Sequence, residues 1–215
     1  MAKILAKATG ASAAALSGKR CFLFYPPGDL YQRGEDRSQG NVSDSAATVM
    51  RAPNDMGYAS AILKRRGYEV SFIDFQTERK SMEDLVEFFL SWSPDTVVIS
   101  TTNSTVFEDV AVLKRPKSLK PDLMVVVKGA IFFDAPSTVI DAIDTSDVDY
   151  LIGGEIEFSI GPLFDAHFGK ELDLFLVPGI LFKNKDGAWT KHSFATWSTD
   201  VVEIPFPDRT VISNA

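Results

Sequence analysis

Near residue 150 the chain reads Asp147-Val-Asp-Tyr-Leu-Ile-Gly-Gly-Glu-Ile-Glu157, a stretch in which a short apolar run ends on two glycines and two acids. A helical pattern follows at once, and ligands of open α/β sheets bind beyond the carboxyl ends of such strands. Paired glycines allow close backbone approach and leave N–H groups to point at a ligand. Gly153, Gly154, Glu155 and Glu157 are therefore candidate ligand-binding residues. A tight turn whose acids suit the positive end of the next helix is the alternative.

Four further apolar runs precede this stretch, each separated from the next by a helical pattern. Runs that are apolar in their middle are typical of parallel strands covered on both faces. Each connection is long enough for a right-handed crossover. The sequence therefore predicts an α/β fold with a Rossmann-like (flavodoxin-like), doubly wound sheet of five parallel strands, at residues 19–25, 68–74, 96–100, 123–127 and 149–152.

The pattern changes after residue 170. Two apolar segments flank Asp186-Gly187, which is typical of a β-hairpin. The proline-rich residues 201–209 favour an extended linker over a strand. We therefore divide the chain into an N-terminal tail (1–18), a Rossmann-like domain (19–170), and a C-terminal hairpin with a linker (171–215) that leads toward a further domain.

Composition excludes several classes of function. A net charge of −7 argues against a nucleic-acid-binding surface. The single cysteine, Cys21, can form no internal disulfide, zinc site or iron–sulfur cluster, and it is expected to be a small buried side chain in a cytoplasmic protein. No apolar run is long enough to span a membrane. The alanine-rich start is too weakly hydrophobic for a signal peptide.

Two loops at strand ends are candidates for ligand contact. Residues 26–52 form a long polar stretch without periodicity after the first strand, which we interpret as a lid over the ligand crevice. Thr101-Thr-Asn-Ser-Thr105 offers five small polar residues before a helix. Ordinary helix capping is the alternative for this run, but one hydroxyl would satisfy it.

Motifs for the common cofactors and for hydrolysis are missing. The sequence has no Gly-x-Gly-x-x-Gly after the first strand, no Walker loop and no Gly-x-Ser-x-Gly. His167 and His192 do not follow strands, and we interpret both as surface or packing residues. What is left is a large, partly apolar ligand that is held by backbone and small polar groups.

Several segments resemble, in their order and spacing, the cobalamin-binding domain of radical SAM proteins. The resemblance covers residues 20–212 and is carried by Pro53 to Leu63, Arg66 to Val70, Thr96 to Ser100, Val126 to Gly129, Val148 to Glu157, Pro178 to Phe182, Asp186-Gly187 and Ile204 to Pro207. It implies that cobalamin lies across the carboxyl edge of the sheet. The cofactor-binding residues are then expected to be Pro27, Gly28, Asp29, Tyr31, Met56, Ser100, Thr101, Thr102, Asn103, Ser104, Gly129, Ala130, Ile131, Gly153, Gly154, Glu155 and Glu157.

The same resemblance implies that a radical SAM domain beyond residue 215 binds S-adenosylmethionine and a 4Fe–4S cluster. This chain alone is then non-catalytic, and the whole protein performs methyl transfer or related radical chemistry. Two positions depart from the family, with Lys128 and Ile156 where glycines are usual. In Asp29-Leu-Tyr-Gln-Arg-Gly34 a tyrosine, Tyr31, stands where another cobalamin-binding group has its ligating histidine. We therefore expect no protein histidine on the cobalt.

Two alternatives stay open. The chain can be a stand-alone Rossmann-like module for a nucleotide, sugar or flavin, because the hydroxyl-rich residues 101–105 would serve any of these ligands. It can also be a degenerate domain that uses the fold only for packing, for which Lys128 and Ile156 are the best support.

Overall fold

The computed structural model describes residues 18–29, 52–134, 136–169, 173–191 and 203–211. Within them lies one seven-stranded sheet in the order β2-β1-β3-β4-β5-β6-β7. The strands are β1 (Arg20–Tyr25), β2 (Glu69–Asp74), β3 (Thr96–Ser100), β4 (Met124–Lys128), β5 (Tyr150–Ile152), β6 (Ile180–Lys183) and β7 (Trp189–Lys191).

The first five strands are parallel and form the predicted doubly wound sheet. The helices that connect them are α1 (Asn54–Arg65), α2 (Met82–Trp92), α3 (Val106–Ala111), α4 (Lys114–Leu119) and α5 (Ser137–Asp141), and α6 (Ile156–Phe168) follows β5. The single helix expected after residue 105 is instead the two short helices α3 and α4. The order of the strands reverses between β1 and β3, which is where ligands of such sheets bind.

Two hydrophobic cores lie on opposite faces of the sheet, because alternate residues of a strand point to opposite sides. On one face Leu23, Val98 and Val126 pack against α1 and α6. On the other face Phe24, Ile99 and Val127 pack against α2 to α5. Cys21 is buried in the first of these cores, as expected.

The predicted hairpin forms, and it joins the main sheet. β6 pairs with β5 antiparallel, and β7 pairs with β6, so the sheet continues past the boundary expected at residue 170. The linker is also placed differently from the expectation, because residues 203–211 lie against α1. None of the described helices is long and apolar enough to cross a membrane.

Candidate cofactor-binding site

The last residues of three neighbouring strands place polar side chains on one face of the carboxyl edge. Ser100 at the end of β3 is in register with Lys128 at the end of β4. Phe24 is in register with Ile99, so the next residue of β1, Tyr25, lies beside Ser100. All three side chains lie on the face that α1 and α6 cover. This row is the floor of the crevice at which the strand order reverses.

Asp55, in the first turn of α1, lies over this row. Its carboxylate accepts hydrogen bonds from the Tyr25 hydroxyl at 2.6 Å, the Ser100 hydroxyl at 2.8 Å and the Met56 N–H at 2.9 Å. The Lys128 ammonium lies 3.7 Å away. Burial alone would raise the pKa of the Asp55 carboxyl, but Lys128 and the two hydroxyls outweigh it and lower the pKa. Asp55 is therefore a half-buried anion that ties α1 to three strand ends.

Glu157, in the first turn of α6, brings a second carboxyl to the same edge. Its Oε2 is buried and has no hydrogen-bond partner among the described residues. Burial, and then the charge of Glu155, raise the pKa of this carboxyl, while Lys128 opposes the rise. A buried polar atom without a partner is rare in folded proteins, and it indicates a position where a partner from outside the chain can bind.

The two glycines after β5 serve the protein's own packing. The N–H groups of Gly153 and Gly154 donate to the Gly179 carbonyl at 3.0 and 3.3 Å, so the expectation that they point at a ligand is wrong. A Cβ on Gly153 would lie 2.4 Å from the backbone carbon and oxygen of Phe132. Glycine is required here because the loop after β4 crosses the end of β5 at this point.

The hydroxyl-rich loop is explained in part by the start of α3. Thr101 and Thr105 both donate to the carboxylate of Asp109, and the Thr102 hydroxyl lies 2.9 Å from that of Thr105. Burial raises the pKa of Asp109. These hydroxyls therefore bind a carboxylate of α3, and the N-cap residue Thr105 makes no side-chain capping hydrogen bond. Asn103 and Ser104 remain exposed at the edge.

The other predicted site residues differ in how far they are exposed to solvent. Met56 is buried beneath the edge, while Gly28, Asp29 and Glu155 are exposed. Pro27 and Ile131 are half-buried, Ala130 is exposed, and Gly129 is buried with Thr101 Cγ2 only 2.8 Å from the position of its missing Cβ. Tyr31 and most of the expected lid, residues 30–51, lie outside the described residues, as does His192.

The other histidine, His167, lies far from the carboxyl edge. Its Nδ1 lies 2.9 Å from the hydroxyl of Tyr150, the residue that begins β5 at the amino edge. In the part of the chain that the structure describes, no three His, Cys, Asp or Glu residues are grouped as metal ligands.

Sequence reasoning missed Asp55 as a site residue. A signal was available, because the first turn of the helix after a β-strand in a parallel sheet lies over the strand ends. For Lys128 the sequence indicates only a departure from the family, and no direction for its side chain. Its ammonium is in fact turned toward Asp55.

The edge fits a large amide-bearing cofactor by its donor and acceptor chemistry. The unpaired Glu157 oxygen can bind an amide side chain, and Lys128 can bind a carbonyl or phosphate oxygen. Exposed Asn103 and Ser104 add neutral hydrogen-bonding groups. These residues offer contacts to the periphery of such a group.

Comparison with known proteins gives a family for this architecture. Residues 53–158 match the family model of the B12 binding domain. An uncharacterized methyltransferase of Pyrococcus horikoshii is 24% identical over 155 residues, which are 72% of this chain and 33% of that protein.

Solved structures show the same fold. The cobalamin-dependent radical enzyme OxsB, solved with aqua-cobalamin and S-adenosylmethionine bound, has a TM-score of 0.65 at 19% identity. The alignment covers 90% of this chain and 24% of OxsB. The radical S-adenosylmethionine methyltransferase TsrM from Kitasatospora setae has a TM-score of 0.57 at 19% identity, over 79% of this chain and 29% of TsrM. The chain thus spans about a third or less of the length of these proteins. Residues 53–158 of this chain are thus similar to the B12 binding domain, in both their family-model match and their fold.

Proposed function

We propose that this chain binds cobalamin at the carboxyl edge of its sheet, as the cofactor domain of a B12-dependent radical SAM enzyme. The observation that supports the proposal most is the buried, unpaired Oε2 of Glu157 beside the Asp55–Lys128 pair. These groups lie at the strand ends of a fold whose residues 53–158 match the B12 binding domain. Bound cobalamin supplies a cobalt that can carry a methyl group or take part in radical reactions.

In this proposal the residues of the chain position the cofactor. Glu157 and Lys128 bind its polar side chains, and exposed Asn103 and Ser104 contact it from the loop after β3. Asp55 binds no cofactor atom, because its oxygens are already occupied by Tyr25, Ser100 and the Met56 N–H. It holds Lys128 in place.

The direct test is binding. The purified chain is mixed with hydroxocobalamin, desalted, and examined for a corrinoid spectrum that co-elutes with the protein. We expect stoichiometric retention, and Lys128→Ala is expected to weaken it. Parallel samples with FMN and ATP test a stand-alone nucleotide or flavin module. Retention of FMN or ATP, with no retention of corrinoid, would overturn the proposal.

We also propose that no protein histidine ligates the cobalt. His167 supports this by its position at the amino edge, where its ring contacts Tyr150. The test is the electron paramagnetic resonance spectrum of the bound, reduced cofactor in the wild type and in the His167→Ala and His192→Ala variants. We expect three identical spectra without splitting from a protein nitrogen. A splitting that either substitution removes would disprove this part.

Methyl transfer or related radical chemistry, if it belongs to the whole protein, needs more than this chain. One cysteine, Cys21, cannot supply a three-cysteine cluster motif. We propose that S-adenosylmethionine and a 4Fe–4S cluster bind to a radical SAM domain outside this chain, a proposal that the S-adenosylmethionine bound to OxsB and the cluster bound to TsrM support. Reading the gene further tests this, because Cys-x-x-x-Cys-x-x-Cys is expected within a few dozen codons. We also assign the protein to the cytoplasm, which cell fractionation with compartment markers would test.

A further inference from the structure

The segment 203–211, here named the C-terminal strap, is bound along helix α1. Asp208 is its centre. The Asp208 N–H donates to the Gly57 carbonyl at 2.9 Å, and its Oδ2 accepts from Ser60 at 2.8 Å and from Lys64 at 2.6 Å. Its Oδ1 accepts from the N–H and the hydroxyl of Thr210. One carboxylate thus accepts four hydrogen bonds, two from α1 and two from the strap.

The contact is closely fitted. A Cβ on Gly57 would lie 3.1 Å from Cβ of Pro207, so the strap packs tightly against this glycine and would have to shift to admit a side chain. Ser60, which donates to Asp208, is fully buried. Burial would raise the pKa of Asp208, but hydrogen bonds from Lys64, Thr210 and Ser60 lower it well below its ordinary value. The strap is therefore bound by charge and shape together.

The strap also contacts the turn that carries the site. Arg209 Nη1 donates to Asn54 Oδ1 at 2.9 Å, and Asn54 precedes Asp55 in the chain. Asp55 is bonded on its other side to the ends of β1 and β3. The first turn of α1 is thus held from outside by the strap and from inside by the polar row of the carboxyl edge.

We propose that the C-terminal strap positions the cofactor site: Asp208 and Arg209 fix the first turn of α1, so that docking of the strap and binding at the carboxyl edge are coupled. For its ligand this inference rests on the proposed function. Coupling between two sites is reciprocal. A bound cofactor therefore makes the strap dock more firmly, and a released strap weakens binding of the cofactor.

The experiment compares Asp208→Ala with Asp165→Ala in the full 215-residue chain. Asp165 is the matched control, because it pairs with Arg66 at 3.2 Å and so tethers the opposite end of α1. Two quantities are measured: amide hydrogen exchange across residues 54–60, and the dissociation constant of hydroxocobalamin. Far-UV circular dichroism and a cooperative melt confirm folding. Arg209→Ala, which changes an exposed side chain, provides the same test if Asp208→Ala does not fold.

We expect Asp208→Ala to speed exchange across residues 54–60 and to weaken hydroxocobalamin binding about 5-fold to 10-fold, at the lower end of typical coupling between sites. Asp165→Ala should change neither quantity. In the wild type, the cofactor should slow exchange across residues 203–211.

Two results would overturn the inference. One is amide hydrogen exchange across residues 54–60 at the wild-type rate in an Asp208→Ala chain whose strap, residues 203–211, exchanges faster. The other is an equal loss of affinity in Asp165→Ala, which would indicate a general effect of stability. If the wild type binds no hydroxocobalamin, the proposed function fails. The exchange data then still decide whether the strap positions this turn.

Discussion

The two edges of the sheet are both lined with charged side chains, but the charges are used differently. At the amino edge Asp149 accepts from the Val125 N–H at 2.8 Å and from Lys117 at 3.1 Å. Asp95 accepts in the same way from the Arg20 N–H and from Lys120. Each of these carboxylates therefore binds both a strand and a lysine.

The lysines of the amino edge are also satisfied twice. Lys117 donates to the Leu123 carbonyl at 2.6 Å, and Lys120 donates to the Pro94 carbonyl at 2.8 Å. At the carboxyl edge, by contrast, Lys128 lies 3.7 Å from the Asp55 carboxylate, and one oxygen of Glu157 has no hydrogen-bond partner among the residues that the structure describes. The carboxylates and lysines named at the amino edge are thus bonded within the protein, although the buried Tyr68 hydroxyl before β2 also has no hydrogen-bond partner among the described residues. The carboxyl edge differs because a carboxyl oxygen there keeps hydrogen-bonding capacity for a ligand.

The largest effect is expected from crowding the carboxyl edge with Gly153→Ala. The added Cβ would lie 2.4 Å from backbone atoms of Phe132, which cannot move as a flexible side chain would. We expect a loss of about 3 kcal/mol or more in the free energy of unfolding, the upper range for overpacking. Urea denaturation of the purified chain measures it.

Gly28→Ala is the control for this change, because nothing lies within 4 Å of the position of its added Cβ. Its free energy of unfolding should stay within about 0.5 kcal/mol of the wild type. A mild Gly153→Ala variant would mean that the loop after β4 can move away from β5, and that the edge is less rigid than described.

The second-largest loss of stability is expected at the amino edge. Asp149→Ala removes the carboxylate that accepts from the Val125 N–H in the central strand β4, and it also removes a hydrogen-bond partner of Lys117. We expect a loss of about 2 to 3 kcal/mol, because an unsatisfied buried donor costs this much. Binding of hydroxocobalamin by the folded variant should be unchanged, since the amino edge is remote from the site. A loss of affinity in the folded variant would contradict the division between the two edges.

Asp55→Asn tests the carboxyl edge directly. The amide cannot replace a carboxylate that accepts from Tyr25, Ser100 and the Met56 N–H, and it leaves Lys128 without a counter-charge. We expect a loss of about 1 to 2 kcal/mol in stability. Hydroxocobalamin binding should weaken by at least about 10-fold, because Lys128 is no longer held in place.

The pH dependence of this variant follows from the lowered pKa of Asp55. The folded carboxyl loses its proton more easily than the unfolded one, so its stabilising effect is present above the ordinary value of 3.8 and is lost as the pH falls through the folded pKa. The difference between wild type and Asp55→Asn should therefore be constant near neutral pH and shrink in acid. A difference that grows in acid would mean that Asp55 is not a stabilised anion.

The sequence predicted the parallel sheet because its signals are local. Apolar runs and helical periods predict five strands, and right-handed crossovers favour the doubly wound parallel sheet that is found. The turn Asp186-Gly187 likewise identified the hairpin. The partner of that hairpin could not be predicted, because the free edge of the three-residue strand β5 can be paired or left open without a change in its own sequence.

The sequence could predict which residues lie at the site only where they stand at the end of a predicted strand. Ser100 and Glu157 could be placed at the carboxyl edge, because strand register brings such ends together. A sequence does not show whether a glycine N–H faces a ligand or the protein's own backbone, so the bond from the Gly153 N–H to the Gly179 carbonyl could not be predicted. Contact between Gly153 and a cofactor stays a prediction. The docking of the strap was missed for a related reason. It depends on Asp208 meeting Ser60 and Lys64, which are four residues apart on one face of α1.

The smallest effect, and the one of opposite sign, is expected from Glu157→Gln. Burial raises the pKa of the Glu157 carboxyl above its ordinary value of 4.5. The folded state therefore holds this proton at pH values where the unfolded state has lost it, and stability falls as the pH rises through the folded pKa. At neutral pH the wild type bears the cost of a buried charge that Gln does not have.

Glu157→Gln should accordingly be more stable than the wild type at neutral pH and equal to it below about pH 4, where both side chains are uncharged. The gain should stay below about 1 kcal/mol, because solvent screens a half-buried carboxyl. Denaturation in urea between pH 4 and pH 8 measures it. At the amino edge, removing the carboxylate of Asp149 destabilises the chain, so opposite signs for the two acids would show that only the carboxyl edge keeps an unpaired charge. A Glu157→Gln variant that is less stable at neutral pH would mean that this oxygen is already satisfied by the protein, and the two edges would then be alike.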